Sequence, residues 1–145
     1  MRAALSCFAV LAALAVGAAD KAGAPGAQQA AAAFGRALVA RDAGALQPIL
    51  PKEGRVHVML TRMGPEDGRF GASQVVALFR DFLAAGKVSA FDVVHCECDG
   101  ESSGLARGRA TIIDRDGKAG RVGVHLAFER EGPRWVLREV KETPE

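Results

Sequence analysis

Apolar positions recur along this chain with two periods, and each change of period marks the end of an element. In "AQQAAAAFGRALVARD" alanine dominates, and Phe34, Leu38 and the stem of Arg41 share one face at helical spacing, which predicts a helix over 27–41. Asp42 then stands where an N-cap would open a short second helix through Leu46 to Leu50, stopped by Pro51. In "RVHVMLT" the period drops to two: Val56, Val58 and Leu60 alternate with Arg55, His57, Met59 and Thr61, as in a half-buried strand. The Gly/Pro/Asp-rich "MGPEDGRFG" reads as the loop that ends it. Ser73 is placed to cap "QVVALFRDFLAAG", in which Val75, Val76, Phe79, Phe82 and Leu83 form an apolar face and Gly86 a stop.

From Val88 onward the pattern is that of strands, over 88–98, 105–114, 119–130 and 134–141, separated by "DGESSG", "RDGK" and "EGP". Connections this short imply an antiparallel meander. The order predicts an α+β fold in which three helices pack on one face of a curved antiparallel sheet, a cone-shaped α+β barrel. A three-residue loop with Gly117 left-handed aligns Ile112, Ala110, Gly108 and Ala106 with Val122, Val124, Leu126 and Phe128 as a core face. The opposite face gathers Arg107, Arg109, Thr111, Arg121 and His125.

The same alternation carried back turns Val94, Cys96 and Cys98 to the core, and His95 and Glu97 outward across from Arg109 and Arg107. Phe91 and Val93 then fall outward, which requires a bulge, an edge contact or a homodimer surface through the sheet.

The first 19 residues, with Arg2, an apolar stretch from Leu5 to Val16 and small residues at the end, read as a secretory signal. Its apolar run is shorter than the roughly 20 residues that span a bilayer, so the mature chain has no stable membrane anchor. Residues 20–26, "DKAGAPG", read as a flexible start, 27–141 as one domain and 142–145 as a tail. Removal of the signal leaves Cys96 and Cys98 as the only cysteines, in a periplasmic or secreted, oxidising setting. A net charge of +2 with no basic run argues against nucleic acid.

The stretches "GASQVVALFRDFL", "GRATIIDRDGKAGRVGVHLAF" and "WVLREVK", with the order of elements, resemble the nuclear-transport-factor-2-like, cone-shaped α+β superfamily. Within it they are similar to a group of small, uncharacterised exported bacterial proteins. The resemblance covers about residues 27–141. It implies a deep pocket between helices and sheet, which hosts isomerases, dehydratases and cyclases in some branches and nothing catalytic in others. Fold alone does not choose between those.

The densest run of reactive side chains is "VVHCECDG". A structural zinc site needs four ligands, and Cys96 and Cys98 supply two while His95 points to the other side of the strand, so no metal is expected. Buried thiols come first for Cys96 and Cys98, a strained disulfide between them second and an intermolecular bridge third, because residues two apart on a strand hold parallel Cβ vectors. No residue reads as catalytic. The chain has no Tyr, the hydrogen-bond donor of some catalytic branches of the superfamily, and no nucleophile elbow, Walker loop or HExxH, and no cofactor is implied.

The expectation is an exported, non-enzymatic protein. It would hold a small apolar ligand in its cone at His57, Phe79, Phe82 and Phe128, or serve as a cell-envelope interaction module through Arg107, Arg109, Arg121 and His125. The alternative is a pocket enzyme of the isomerase or dehydratase type. A cone filled by Phe79, Phe82 and Phe128 would favour the interaction role.

Overall fold

The computed structural model describes residues 26–64, 66–97 and 101–145. The signal-like stretch 1–19, nearly all of the start expected to be flexible, and Cys98, Asp99 and Gly100 lie outside these residues.

Helix α1 (Gly26–Val39) buries Ala27, Ala30, Ala31, Phe34, Ala37 and Leu38 on one stripe. It stops short of residue 41 because Arg41 takes a left-handed φ of 58°. The Arg41 and Asp42 N–H groups then donate back to the Leu38 and Ala37 carbonyls at 3.1 and 2.9 Å, satisfying the last carbonyls of the helix. Asp42 caps the next element as expected, its Oδ1 accepting from Ala45 N–H at 3.2 Å, but that element is a 3₁₀ turn, Ala43–Ile49, with Pro48 inside it. Helix α2 (Ala72–Ala85) buries the expected Val75, Val76, Phe79, Phe82 and Leu83. Its N-cap is Gly71 rather than Ser73: the Gly71 N–H donates to Gln74 Oε1 at 2.9 Å, leaving Ser73 exposed in the first turn. Gly86 ends it, donating to the Phe82 carbonyl.

The described residues form six strands: β1 (Val56–Leu60), β2 (Glu66–Phe70), β3 (Lys87–Glu97), β4 (Ser103–Ile113), β5 (Ala119–Glu131) and β6 (Arg134–Pro144). Strand β2 lies inside the expected loop. Its "EDGRF" carries no apolar alternation because it is a charged edge strand, paired only with β1. The sheet order is β2-β1-β6-β5-β4-β3. The meander β3 to β6 is antiparallel as expected, but β1 pairs with β6 in parallel, so the sheet is mixed, and it remains open rather than closing into a barrel. Residues 142–144, expected to trail free, complete β6, and Glu142 accepts from the N–H groups of Thr61, Arg62 and Met63 at 2.9–3.0 Å.

The β4–β5 hairpin has the three-residue loop, with Gly117 at φ 79° and Asp114 N–H donating to the Lys118 carbonyl at 3.0 Å. The pairing lies two residues along from the expected one: Ala110 faces Val122, Gly108 faces Val124 and Ala106 faces Leu126. A shift of two preserves the faces, so the apolar side stays as derived.

Strand β3 departs further. Bulges where Ser89 and Val94 are the extra residues reset its alternation twice. Phe91 and Val93 therefore turn inward and pack on the core, whereas Val94, expected inside, is 46% exposed. His95 lies across from Arg107 and Glu97 from Leu105, each two residues from the expected partner, Arg109 and Arg107.

One core joins the inner sheet face to both helices. Phe34, Phe79, Phe82 and Phe128 are at most 1% exposed, and Phe34 and Phe79 meet edge to face with ring centroids 5.6 Å apart. Among the described residues no polar or charged side chain is buried.

Candidate functional site

The interior between helices and sheet is filled rather than hollow. Phe79, Phe82 and Phe128, expected to line a pocket, are structural core. His57 does not join them. On β1 it alternates with buried Val56 and Val58, so it projects from the face away from the helices, with Nε2 3.5 Å from Asp67 Oδ1 and Nδ1 3.8 Å from Glu139 Oε2.

A groove of about 760 Å³ lies between α1 and the edge strand β3. On the helix side it is lined by Ala32, Gly35, Arg36, Val39 and the following Ala40, a stripe at i, i+3, i+4 and i+7 beside the core stripe. On the strand side it is lined by Ala90, Phe91, Asp92 and Val93. Phe91 forms part of its wall and also reaches the core, its ring centroid 5.6 Å from that of Phe34. Arg36 and Asp92 are the two charged residues of the lining, and both are exposed. Val39, 43% exposed, is an apolar side chain for which no core contact accounts.

Two small glycines shape this wall. A Cβ on Gly35 of α1 or on Gly108 of β4 would collide with the Phe91 ring, so the ring occupies a slot that only glycine on both sides leaves open. Sequence reasoning missed the groove because the bulges of β3 carry no periodic signature. The usable signal was glycine in the interior of a helix and of a strand, positions where it otherwise weakens the element.

The outer face of the sheet carries the expected basic residues. Arg107, Arg109, Arg121 and His125 are all exposed there. Arg109 is taken up by Glu145, its Nε donating to both carboxylate oxygens at 2.8 and 2.9 Å, and this pairing raises the guanidinium pKa further above its ordinary value. Arg107 and His125 line two shallow depressions of about 320 and 250 Å³.

Cys96 packs against the core, as expected, but it is disulfide-bonded rather than a free thiol. The remaining cysteines, Cys7 and Cys98, are outside the described residues. No group of three or more His, Cys, Asp or Glu that could hold a metal occurs among the described residues, and no helix among them is long and apolar enough to cross a membrane.

No protein-family model and no curated protein matches the sequence. Solved structures do match in fold. A DUF4783 family protein from Bacteroides uniformis aligns with a TM-score of 0.62 at 14% identity, over 79% of this chain and 95% of its own. A ketosteroid isomerase-like protein from Erwinia carotovora atroseptica aligns at 0.61 and 11% identity, over 80% and 91% of the two chains. A protein of the NTF2-like family from Streptomyces avermitilis aligns at 0.61 and 17% identity, over 83% and 94%. The fold is therefore nuclear-transport-factor-2-like; at these identities the likeness extends to the fold alone.

Proposed function

We propose that this chain is an exported, non-enzymatic binding protein whose site is the groove between α1 and β3, and whose ligand is a small apolar molecule with a polar end placed at Arg36 and Asp92. The observation that carries the proposal is the contrast between a core closed by four phenylalanines and an open groove of about 760 Å³ with an apolar floor. That volume falls in the ~300–1,000 Å³ range of small-molecule sites, and an apolar lining with few polar groups is their usual composition. The ligand site thus moves from the expected cone interior to its flank.

The isomerase or dehydratase alternative has less support. Acid–base catalysis uses a desolvated or specifically placed titratable group, and no titratable side chain is buried among the described residues. A homodimer through the sheet rested on outward-facing Phe91 and Val93, and both turn inward.

Native mass spectrometry of the mature protein, purified without detergent, tests the proposal. A bound small molecule released by denaturation and extractable into organic solvent is the expected result. A chain that carries nothing, and takes up nothing from an apolar extract of its own host, would sink it.

A further inference from the structure

The outer face of the sheet holds a row that the groove does not explain. His95, Arg107, His125 and Lys141 are successive cross-strand partners on β3, β4, β5 and β6, and all four are exposed. Directly opposed like charges destabilise a sheet. The rows on either side carry carboxylates in excess of cations. One carries Glu97 and Glu139 with His57, and the other carries Asp92 and Arg109, with Glu145 on Arg109. In the central row only His95 has a carboxylate, Glu97 Oε1 at 3.5 Å, while Arg107, His125 and Lys141 make no ion pair among the described residues.

The row is also concave. His95, Glu97, Leu105, Arg107 and His125 line the depression of about 320 Å³, and Arg107 and His125 continue into the adjoining one. We propose that this depression is a second binding site, distinct from the groove, for a dianionic tetrahedral oxyanion: a phosphate group, free or carried on a larger molecule. Arg107 supplies the forked donors that match such oxygens, and the histidines on its two sides close around it.

Histidine gains its charge between pH 8 and pH 5, so the site strengthens as pH falls. The groups facing His95 are Glu97 on its own strand and Arg107 on β4; those facing His125 are Arg107 on β4 and Lys141 on β6, with Glu97 in the first depression it lines and the Arg109–Glu145 pair in the second. With both imidazoles neutral, the row and Glu97 carry two positive charges and one negative. With both protonated they carry four positive charges and the same negative one, and an anion relieves the crowding.

The test is titration of the mature protein with sulfate and with inorganic phosphate, read by calorimetry and by amide shifts. Sulfate stays dianionic, so its affinity should rise steadily, by about tenfold or more, from about pH 7.5 to pH 5.5. Inorganic phosphate takes up its second proton already near neutral pH, earlier than a phosphate monoester does, so its affinity should pass through a maximum instead. Arg107→Gln should cost about tenfold in affinity, while Arg121→Gln, on the same face but off the row, should leave it unchanged. Co-sedimentation with phosphatidic acid vesicles, lost in Arg107→Gln, would place the group on a lipid; soluble binding alone would place it on a free phosphate. Equal losses in Arg107→Gln and Arg121→Gln, or sulfate affinity flat with pH, would overturn the proposal. Neither outcome bears on the groove.

Discussion

Phe91 reaches from the edge strand to touch Phe34 of α1, ring centroids 5.6 Å apart at an interplanar angle of 65°. The contact exists because the bulge at Ser89 turns Phe91 inward and because Gly35 and Gly108 leave room for its ring. Filling that slot should be costly. Gly108→Ala is expected to destabilise the fold by about 1–3 kcal/mol, the usual range for overpacking. The cost should shrink when Phe91 is also changed to Leu, since the two residues are in contact. Urea denaturation of the two single variants and the double variant measures the coupling; strict additivity would show that the ring and the glycine do not press on each other.

Glu142 closes the other end of the sheet. One carboxylate accepts from three consecutive N–H groups, those of Thr61, Arg62 and Met63, which turn the chain between β1 and β2. Glu142→Ala leaves those donors without their acceptor and should cost about 1–3 kcal/mol. Faster hydrogen exchange confined to residues 61–63 and the start of β2 is the signature expected. Unchanged exchange there would mean that water replaces the carboxylate at no cost.

Acid should loosen two loops first. The Asp114 carboxyl lies below the ordinary aspartate range because the Lys118 N–H donates to it, aided by Arg62 and the Asp116 N–H, and these outweigh desolvation. The Glu131 carboxyl is lowered chiefly by the Lys52 N–H, with help from Glu53 and Arg134. A carboxyl with a depressed folded pKa adds stability that is complete above its unfolded value and fades as pH falls through the folded one. Melting temperature should therefore decline as pH drops below about 4. The Asp114→Asn/Glu131→Gln protein should start lower at neutral pH and decline less. Parallel curves for the two proteins would remove these groups from the account.

The Cys96 disulfide makes a separate prediction. In an exported chain cut after its signal, Cys98 is the remaining cysteine of the sequence, and we predict that it is the partner. Denatured mature protein should then show no free thiol until reductant is added. A disulfide-linked dimer on a non-reducing gel would assign the bridge to two chains instead.

Much of this fold is written in periodicity, and the exceptions share a cause. Helices α1 and α2, β1 and the meander follow from spacing, because each buries a continuous stripe or alternate face. The faces of β4 and β5 came out correctly even with a register two residues off, since a shift of two leaves every side chain on its own side. Strand β2 stayed hidden because an edge strand protected by charge has little reason to alternate. Phe91, Val93 and Val94 were misplaced because a bulge inserts one residue without any compositional mark. That single-residue effect removed the groove from view, since its strand wall includes Phe91 and Val93, two of those positions. The phenylalanines were recognisable as buried, but whether they line a cavity or fill it depends on packing, which sequence spacing does not encode.

The most direct test of the central claim is the dissociation constant of a neutral apolar fluorophore, N-phenyl-1-naphthylamine, for the wild-type protein and for Ala32→Trp/Val39→Asp. These two positions lie on the groove stripe of α1, and neither belongs to the buried core. If the ligand site is the groove between α1 and β3, the variant should keep its melting temperature within a few degrees and bind at least about tenfold more weakly, the effect of a lost ~1.4 kcal/mol. Equal binding by the two proteins, with tighter binding once Phe79→Leu opens the interior, would place the site back inside the cone and contradict the account.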